Sequence, residues 1–280
     1  MTSAPAQRAD LPAASDDELP LDEAELHVEK LVPFTWRTTL YSLLVWPLPF
    51  LSILFWYVAL TIADLTFWRV GKMLALPRFA ARMSMWLGGV RVRVHGIDNL
   101  DRTQRYVFAG NHVSMFDAPV AAAGAVINAR AFQEKSHLDI PVYGGFVKIF
   151  DEVLIDWKDA DSRARAYTEA LRRIASGWSF GVFPEGSRSY DGKLGAFYDG
   201  AFRLAIEAGV PILPACFSGL RNICPPGEWR VRPGVAHVIY GEPIPTDGMT
   251  LDPACVERLK NRTRRAINDL LRAGPPPTAP

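Results

Sequence analysis

The sequence predicts an α/β protein: a mixed, mainly parallel sheet flanked by helices, preceded by an N-terminal membrane-embedded helical motif. Two observations lead to this prediction. Residues 38–63 contain no charged side chain, and from about residue 89 short apolar runs alternate with stretches of helical periodicity. Strands that alternate with helices favour a parallel or mixed sheet covered by helices.

The two ends of the chain are predicted to be loose. Residues 1–30 lack apolar periodicity and are rich in alanine, proline, serine and acidic side chains. Such a segment cannot bury enough apolar surface to order itself, so we expect a disordered acidic tail. It also lacks the basic start and apolar core of a signal peptide. Residues 273–280 form a short proline-rich tail.

Residues 31–88 are predicted to anchor the protein in a membrane. As a helix, residues 38–63 would extend about 39 Å, which exceeds the ~30 Å hydrocarbon core of a bilayer. Pro47 and Pro49 interrupt the run, so it forms either one kinked transmembrane helix or two shorter helices that enter one leaflet and return. A third possibility is a buried helical layer of a soluble protein. Aromatic side chains suited to the membrane interface are Trp46, Trp56, Tyr57 and Trp68.

Basic residues follow the apolar run: Arg69, Lys72, Arg78 and Arg82. Their position predicts that the downstream chain lies on the cytoplasmic side of the membrane. Arg78 and Arg82 share one helix face beside Met83, Met85 and Trp86, which is typical of an interfacial helix on anionic lipid.

Residues 89–272 are predicted to form the α/β domain. Val90, Val92 and Val94 alternate with polar side chains, as in a half-buried strand. Further strands are expected at 106–109, 179–183, 212–216 and 235–240. Helices are expected at 161–176, at 199–208 and from Pro253, with Gly177 and Gly209 as helix ends and Asp252 as an N-cap.

Composition excludes several functions. The net charge of +1 provides no field that would attract nucleic acid. The three cysteines are Cys216, Cys224 and Cys255, and none forms a C-x-x-C pair, so we expect buried thiols rather than disulfides or a zinc site. The histidines show no spacing typical of metal ligands, so no metal is expected.

The stretch from Asn111 to Asp117 contains a candidate base. His112 follows a predicted strand, and Asp117 lies five residues further on, at the start of a segment of small residues. An imidazole can accept a proton at neutral pH, and a buried carboxylate can orient it. Residues five apart do not share a helix face, so His112 must lie in the turn before the helix. Taken alone, the spacing also fits a surface histidine.

A second stretch, from Phe183 to Ser189, follows another predicted strand. It contains the carboxylate of Glu185, a glycine at 186, the hydroxyl of Ser187 and the guanidinium of Arg188. Arginine binds phosphate through two parallel hydrogen bonds. In isolation this stretch would also fit a charged turn.

Together the two stretches resemble the N-H-x4-D and F-P-E-G-[TS]-R-S blocks of the glycerolipid acyltransferases, the family typified by 1-acylglycerol-3-phosphate acyltransferase. Two weaker blocks of that family have counterparts in residues 210–214 and in residues 135–144, which begin with Lys135. The resemblance covers about residues 89–245.

The resemblance implies a mechanism and its residues. His112 would take the proton of an acceptor hydroxyl, Asp117 would orient His112, and the oxygen would attack an acyl thioester directly. Glu185 and Gly186, with Ser187, would shape the acceptor site. Arg188 would bind an anionic headgroup or donor phosphate, and Lys135 would stabilise an anion or oxyanion. The implied partners are membrane lipid and acyl-CoA or acyl carrier protein, a co-substrate rather than a cofactor. The implied acceptor resembles lysophosphatidic acid, and the implied location is the cytoplasmic side of the membrane.

One family block departs from its usual form. Where the family has G-x-I-F-I-D-R, this chain has Asp151 in place of the glycine and Trp157 in place of the arginine. In the family that arginine is thought to hold the acceptor's phosphate. Either a nearby cation substitutes for it (Lys158, Arg163 or Arg165), or the acceptor is another lysolipid, such as an amino-lipid. A transacylase and a non-catalytic lipid-binding relative also remain open.

Two other patterns receive structural interpretations. Residues 177–181 match G-x-S-x-G, but here a helix and a glycine precede a strand, whereas a nucleophile elbow needs a strand followed by a helix. Ser179 is therefore expected to be a strand residue. The last helix has a basic face that is either solvated or contacts anionic lipid, coenzyme A or an acyl carrier: Arg258, Lys260, Arg262, Arg264, Arg265 and Arg272.

Overall fold

The computed structural model describes residues 20–67, 75–98 and 100–276. Within these ranges it contains a seven-stranded sheet with helices on both faces, which confirms the predicted α/β class. The strands are β1 (Val90–His95), β2 (Val107–Gly110), β3 (Ala129–Glu134), β4 (Val153–Ile155), β5 (Ser179–Val182), β6 (Ile212–Ser218) and β7 (Gly234–Tyr240). The helices are α1 (Trp36–Val45), α2 (Pro47–Phe67), α3 (Ala75–Leu87), α4 (Asp117–Gly124), α5 (Tyr143–Ile149), α6 (Ala160–Ala175), α7 (Gly200–Ala208), α8 (Leu220–Ile223) and α9 (Pro253–Ala273).

The strand order is β1-β7-β6-β2-β5-β3-β4. Every neighbouring pair is parallel except β6 and β7, which are antiparallel. Five adjacent strands, β6, β2, β5, β3 and β4, therefore run in the same direction. Their carboxyl ends meet at one edge of the sheet, which is where ligands bind in open α/β folds.

The sheet is buried on both faces. On one face, Phe180 packs with Ile174 of α6, Phe202 of α7 and Leu259 of α9. On the other, apolar side chains of α4 and α8, including Val120 and Leu220, form a second core. The strand β6 is buried along nearly its whole length, as expected for a strand covered from both sides. This sandwich fixes the carboxyl ends of the central strands.

The helix ends follow the predicted pattern. The side chain of Asp252 accepts hydrogen bonds from the N–H groups of Ala254 and Cys255, each at 3.0 Å, and Pro253 opens α9. Gly209 ends α7 with φ of 61°, a left-handed conformation that glycine adopts without a Cβ penalty.

The N-terminal segment differs from the prediction. Residues 20–34, here called the strap, lie along the α/β domain. Leu21 is buried, the N–H of His27 donates to the side chain of Asn268 (2.8 Å), and the N–H of Val32 donates to that of Asn222 (2.9 Å). The expectation of a disordered tail is therefore wrong for residues 20–30, because amide side chains of the domain satisfy the strap's backbone. Residues 1–19 and 277–280 lie outside the described residues.

The helices α1 and α2 are separated by the single residue Trp46, which itself has helical backbone angles. Residues 36–66 are long and apolar enough to cross a membrane, by length and composition. The side chain of Ser42 in α1 hydrogen bonds both backbone groups of Val231, so α1 is attached to the α/β domain. The large apolar side chains of α2 that face outward are Leu48, Phe50, Leu51, Leu54, Phe55, Val58, Ile62 and Leu65.

The helix α3 packs antiparallel to α2. The hydroxyls of Ser52 and Ser84 are 3.0 Å apart, and the ring of Trp56 meets that of Phe79 edge-on at 5.6 Å. The chain therefore returns toward the domain through α3. Trp68, Arg69 and Lys72, which contributed to the orientation prediction, lie outside the described residues.

The two arginines of α3 bind the protein itself. Arg78 donates to the carbonyl of Ala125 (3.3 Å), and Arg82 donates to the carbonyls of Ala123 (3.2 Å) and Val92 (2.9 Å). The carbonyls of Ala123 and Ala125 lie at the C-terminal end of α4, where the helix dipole favours cations. The expected lipid contact of these guanidiniums is therefore replaced by an intramolecular one.

Several basic side chains of α9 also make contacts within the protein. Lys260 pairs with Asp199 at 3.0 Å, Arg264 donates to the carbonyl of Gly195 at 3.0 Å, and Arg265 pairs with Glu25 at 3.5 Å. These contacts attach α9 to a loop and to the strap, so the face is neither simply solvated nor open to lipid.

Ser179 provides a test of the fold. Its hydroxyl accepts the N–H of Tyr106 at 3.0 Å, and the side chain is fully buried. Ser179→Ala leaves this N–H without a partner, so we expect the free energy of unfolding to fall by about 1–3 kcal/mol in urea titrations. We expect Ser176→Ala, which removes an exposed hydroxyl, to have little effect.

Ser179 is not expected to act as a nucleophile, because it begins β5 rather than a helix. The folded Ser179→Ala protein should retain the acyl-transfer activity that the resemblance implies. Loss of that activity in a fully folded variant would contradict this assignment.

Candidate functional site

The two blocks recognised in the sequence meet at the carboxyl edge of the sheet. The first block follows β2, and the second follows β5, the neighbour of β2. The strand β6 flanks β2 on its other side. The central position of β2 therefore places His112 between the ends of two neighbouring strands.

Asn111 fixes the point at which the chain leaves the sheet. Its side chain accepts the N–H of Phe217 at 2.7 Å and donates to the carbonyl of the same residue at 3.0 Å. Asn111 is buried, so these bonds continue the pairing of β2 with β6 for one more residue. The motif contains Asn111 but does not indicate this contact, because the partner lies 106 residues further along the chain.

His112 and Asp117 are in direct contact. The Nδ1 atom of His112 lies 2.6 Å from Oδ2 of Asp117. The same oxygen accepts the N–H groups of Val113 (2.7 Å) and Ser114 (2.9 Å). Asp117 is the first residue of α4, and its side chain turns back toward the preceding loop. This geometry explains how residues five positions apart make contact: His112 lies in the turn before α4, as predicted, and Asp117 reaches back to it.

The carboxylate of Asp117 is fully buried. Burial raises the pKa of Asp117, and the hydrogen bonds from His112, Ser114 and Val113 lower it again. As an acceptor, the carboxylate requires the proton of the imidazole to lie on Nδ1. The Nε2 atom of His112 then carries a lone pair, and the side chain is partly exposed.

The imidazole ring of His112 is held by an aromatic neighbour. The ring of Phe183 stacks on it with centroids 4.3 Å apart and an angle of 10° between the planes. Phe183 is the first residue after β5. The second block therefore contributes to the base directly, through its phenylalanine, which the resemblance alone did not assign.

Glu185 supports the backbone of His112. One carboxylate oxygen accepts the N–H of His112 at 2.7 Å, and the other accepts the N–H of Gly195 at 2.8 Å. Glu185 is buried, and burial raises its pKa to about 6. Both oxygens are occupied, so Glu185 shapes the site through the backbone of the base.

The remaining residues of the second block form its outer surface. Gly186 has φ of 68°, and a Cβ there would lie 2.8 Å from the ring of Tyr198. Ser187 is exposed, and Arg188 is partly exposed. Among the described residues, the side chain of Arg188 has no hydrogen bond or ion pair.

Lys135 lies apart from the pair of His112 and Asp117. It follows β3, which is two strands from β2, a separation of roughly 10 Å across the sheet. Its exposed side chain makes no hydrogen bond or ion pair within the described ranges. The structure brings Lys135 to the same edge of the sheet but not into contact with the base.

The departing block leads from the end of α5 through β4 at the same edge. The side chain of Trp157 is 52% exposed and meets the ring of Phe132 edge-on, with centroids 6.1 Å apart. Arg163 donates to the backbone carbonyl of Trp157 at 2.6 Å, so a guanidinium lies beside this position. Asp151 adopts φ of 52°, which suits the glycine that the family has there, and its carboxylate pairs with Arg173.

In the described part of the chain, no group of three or more histidine, cysteine, aspartate or glutamate side chains is arranged to hold a metal ion. Cys216, Cys224 and Cys255 are buried free thiols.

Glu185 generates a prediction about pH. Its pKa in the folded protein is about 6, against 4.5 for the unperturbed side chain. The folded state therefore binds this proton more tightly. The contribution of Glu185 to the free energy of unfolding should be largest below pH 4.5 and fall by roughly 2 kcal/mol as the pH rises through 6.

Glu185→Gln removes this titration. Relative to the variant, the wild type should therefore gain free energy of unfolding as the pH falls from 7 to 4.5. Urea titrations at several pH values measure it, with Glu257→Gln, which removes an exposed carboxylate, as the control. A difference that is independent of pH would contradict the perturbed pKa of Glu185.

Comparisons with known proteins show which proteins the chain resembles. A family model described as acyltransferase matches residues 91–218, a range that includes both blocks. A 1-acyl-sn-glycerol-3-phosphate acyltransferase of Limnanthes douglasii is 30% identical over 169 residues, which are 60% of this chain and 59% of that protein. The human 1-acyl-sn-glycerol-3-phosphate acyltransferase alpha is 29% identical over 184 residues, 63% of each chain. This chain thus spans about three fifths of the length of these relatives.

A solved structure shows the same fold. The crystal structure of the 1-acyl-sn-glycerophosphate acyltransferase PlsC from Thermotoga maritima superposes with a TM-score of 0.71, covering 84% of this chain and 96% of that one, at 23% identity. The matched blocks, the family model and the named relatives agree with one another: the chain is similar to the glycerolipid acyltransferases over its α/β domain.

Proposed function

We propose that this protein transfers a fatty-acyl chain from an acyl thioester to the hydroxyl of a lysolipid acceptor of the lysophosphatidic-acid type. The observation that carries the proposal is the buried carboxylate of Asp117 bonded to Nδ1 of His112 at 2.6 Å. A base oriented in this way suits proton removal from a hydroxyl. The relatives named as 1-acyl-sn-glycerol-3-phosphate acyltransferases support this choice of acceptor.

The proposed reaction proceeds in two proton transfers. The acceptor's hydroxyl proton moves to Nε2 of His112 while the oxygen attacks the thioester carbonyl carbon. The tetrahedral intermediate then collapses, the C–S bond breaks, and the leaving thiolate takes the proton from His112. Asp117 stabilises the imidazolium between these steps. The products are the new ester and a free thiol.

Direct transfer is favoured over an acyl-enzyme. Two hydroxyls close to the base have other partners: that of Ser114 is fully buried and donates to the carbonyl of Cys224, and that of Ser189 donates to the carboxylate of Asp191. Burial raises the pKa of the thiols of Cys216 and Cys224 to about 12, which keeps them protonated and unreactive. The proposed reaction uses acyl-CoA or an acylated carrier protein as co-substrate and requires no metal or organic cofactor.

The proposed substrate contacts are the outer residues of the second block. Arg188 precedes Ser189, whose N–H binds the carbonyl of His112, and its partly exposed guanidinium has no partner among the described residues, so it would bind an anionic headgroup or the donor's phosphate. Gly186 and Ser187 would line the acceptor side. Lys135, at the end of β3, would face the part of the substrate farther along the sheet edge.

Membrane attachment is part of the proposal. The outward-facing apolar side chains of α2 would enter the bilayer, which also holds a lysolipid acceptor. We place the catalytic domain on the cytoplasmic side, because acyl thioesters are made there.

A second candidate acceptor follows from Trp157. An exposed indole at the end of β4 cannot bind phosphate through two hydrogen bonds as arginine does. An acceptor without a simple phosphate, such as an amino-lipid, would fit this side chain better. The guanidinium of Arg163 beside Trp157 favours the phosphate acceptor instead.

The proposed base is tested by mutation. His112→Ala should lower kcat by about 10²- to 10⁴-fold, because proton removal from the acceptor is lost. The assay is transfer from a labelled acyl thioester to lysophosphatidic acid in detergent micelles. His95→Ala, on the edge strand β1, is the control. A loss smaller than tenfold in the folded variant would contradict the role of His112.

The same assay decides the acceptor. Folded wild-type protein that is inactive on lysophosphatidic acid but active on an amino-lysolipid would support the second candidate. Trp157→Arg should then shift the preference toward the phosphate acceptor, and Arg163→Gln should weaken that acceptor alone. Transfer from intact phospholipid but not from a thioester would identify a transacylase.

Membrane attachment gives a separate prediction. Leu51 and Phe55 are both 63% exposed, so Leu51→Lys with Phe55→Lys should leave the fold intact. The double variant should bind lipid vesicles at least about tenfold more weakly in flotation assays, because charged side chains enter the bilayer at a cost of several kcal/mol.

Leu251→Lys, at a 37% exposed residue of the α/β domain, is the matched control. Vesicle binding by the double variant that equals binding by the wild type would contradict insertion of α2.

A further inference from the structure

A loop that comprises the end of the second block and the residues after it holds the backbone of the base from two sides. Residues 186–195 form this loop. The N–H of Ser189 donates to the carbonyl of His112 at 2.7 Å. The N–H of Gly195 donates to Glu185, whose other oxygen accepts the N–H of His112. The position of His112 therefore depends on where the loop lies.

Arg264 of α9 binds the loop from outside. Its Nη2 donates to the carbonyl of Leu194 and its Nε to that of Gly195, both at 3.0 Å. The carbonyl of Leu194 and the N–H of Gly195 belong to one peptide group. That group thus accepts a charged donor on one side and donates to Glu185 on the other. Hydrogen bonds in such a chain strengthen one another.

Arg221 of α8 binds the other half of the loop. Its Nη2 donates to the carbonyl of Tyr190 at 3.0 Å, and its Nη1 donates to the carbonyl of Glu29 in the strap. The residue is only 7% exposed. Gly192 lies against the guanidinium, since a Cβ there would lie 2.7 Å from it. Arg221 therefore joins the loop to the strap.

Both arginines bind carbonyls rather than carboxylates. Among the described residues, neither forms an ion pair, although Arg221 is almost fully buried. The carboxylates of Glu29 and Glu185 lie near enough to interact electrostatically with Arg221 and Arg264, but the hydrogen bonds of both guanidiniums go to backbone carbonyls. Their donors converge on three carbonyls of a single loop: those of Tyr190, Leu194 and Gly195.

We propose that Arg264 and Arg221 are positioning residues that hold the 186–195 loop against the backbone of His112, with the strap as the anchor of Arg221. The two side chains act on the base from α9 and α8, through the loop, and neither touches the reacting atoms. The expected effect on acyl transfer rests on the proposed function, whereas the expected effect on the position of the loop does not.

The test compares each arginine with a matched control. Arg264→Gln is paired with Arg258→Gln, which removes the same charge from the same helix and leaves the loop untouched. Arg221→Gln is paired with Arg232→Gln, because Arg232 binds the strap and Asn222 but no loop residue. The readouts are hydrogen–deuterium exchange of residues 186–195, followed by mass spectrometry, and the kcat and KM of acyl transfer.

We expect the loop amides to exchange roughly five- to tenfold faster in Arg264→Gln and Arg221→Gln than in their controls, because each loses hydrogen bonds to the loop. The kcat should fall roughly 10- to 100-fold, because a small displacement of the base slows the reaction. Arg264→Lys should recover part of both effects, since an ammonium group still donates to these carbonyls but lacks the planar fork.

The outcomes distinguish failure of the positioning role of the two arginines from failure of the proposed function. Unchanged loop exchange in folded Arg264→Gln and Arg221→Gln would overturn the inference, as would equal kcat losses in each variant and its control. If a glutamine variant does not fold, Arg264→Lys with exchange and kcat equal to wild type would overturn it instead. Suppose that the loop exchanges faster in the glutamine variants but the wild type is inactive on every lysolipid. That result would support the positioning role of the two arginines and count against the proposed function.

Discussion

One carboxylate oxygen organises the site. Oδ2 of Asp117 receives the imidazole N–H of His112 and the backbone N–H groups of Val113 and Ser114. It thereby holds the turn that precedes α4 and sets the orientation of the imidazole at the same time. The conformation of this turn and the tautomer of the base thus depend on one buried atom. Loss of this acceptor would disturb both.

The sheet explains why the second block matters as much as the first. Because β5 lies parallel and adjacent to β2, its carboxyl end delivers Phe183 to the ring of His112 and Glu185 to its backbone. Aromatic stacking and a buried carboxylate fix a side chain that is itself partly exposed. The base is therefore held by two neighbouring strand ends and remains open on the side of Nε2.

The sequence was sufficient for the fold class, for the resemblance to the acyltransferases and for the contact of His112 with Asp117, because strand and helix periodicity and two motifs carry that information locally. It did not reveal contacts between distant segments. The strap is ordered because Asn222 and Asn268 satisfy its backbone, and Arg78 and Arg82 bind the end of α4 rather than lipid. No local sequence pattern predicts such contacts, because the same type of polar residue can face water or bind a carbonyl that is distant in the sequence.

The central claim is that His112 keeps its proton on Nδ1 and presents a lone pair on Nε2. Nitrogen-15 NMR of histidine-labelled protein in detergent, with His112 assigned by comparison with His112→Ala, measures this directly near neutral pH. The account predicts that the proton of the neutral form of the His112 ring resides on Nδ1, with Nε2 unprotonated, and that this preference is lost in Asp117→Ala. A proton resident on Nε2 in the wild type, or a mixture of tautomers that Asp117→Ala leaves unchanged, would contradict it.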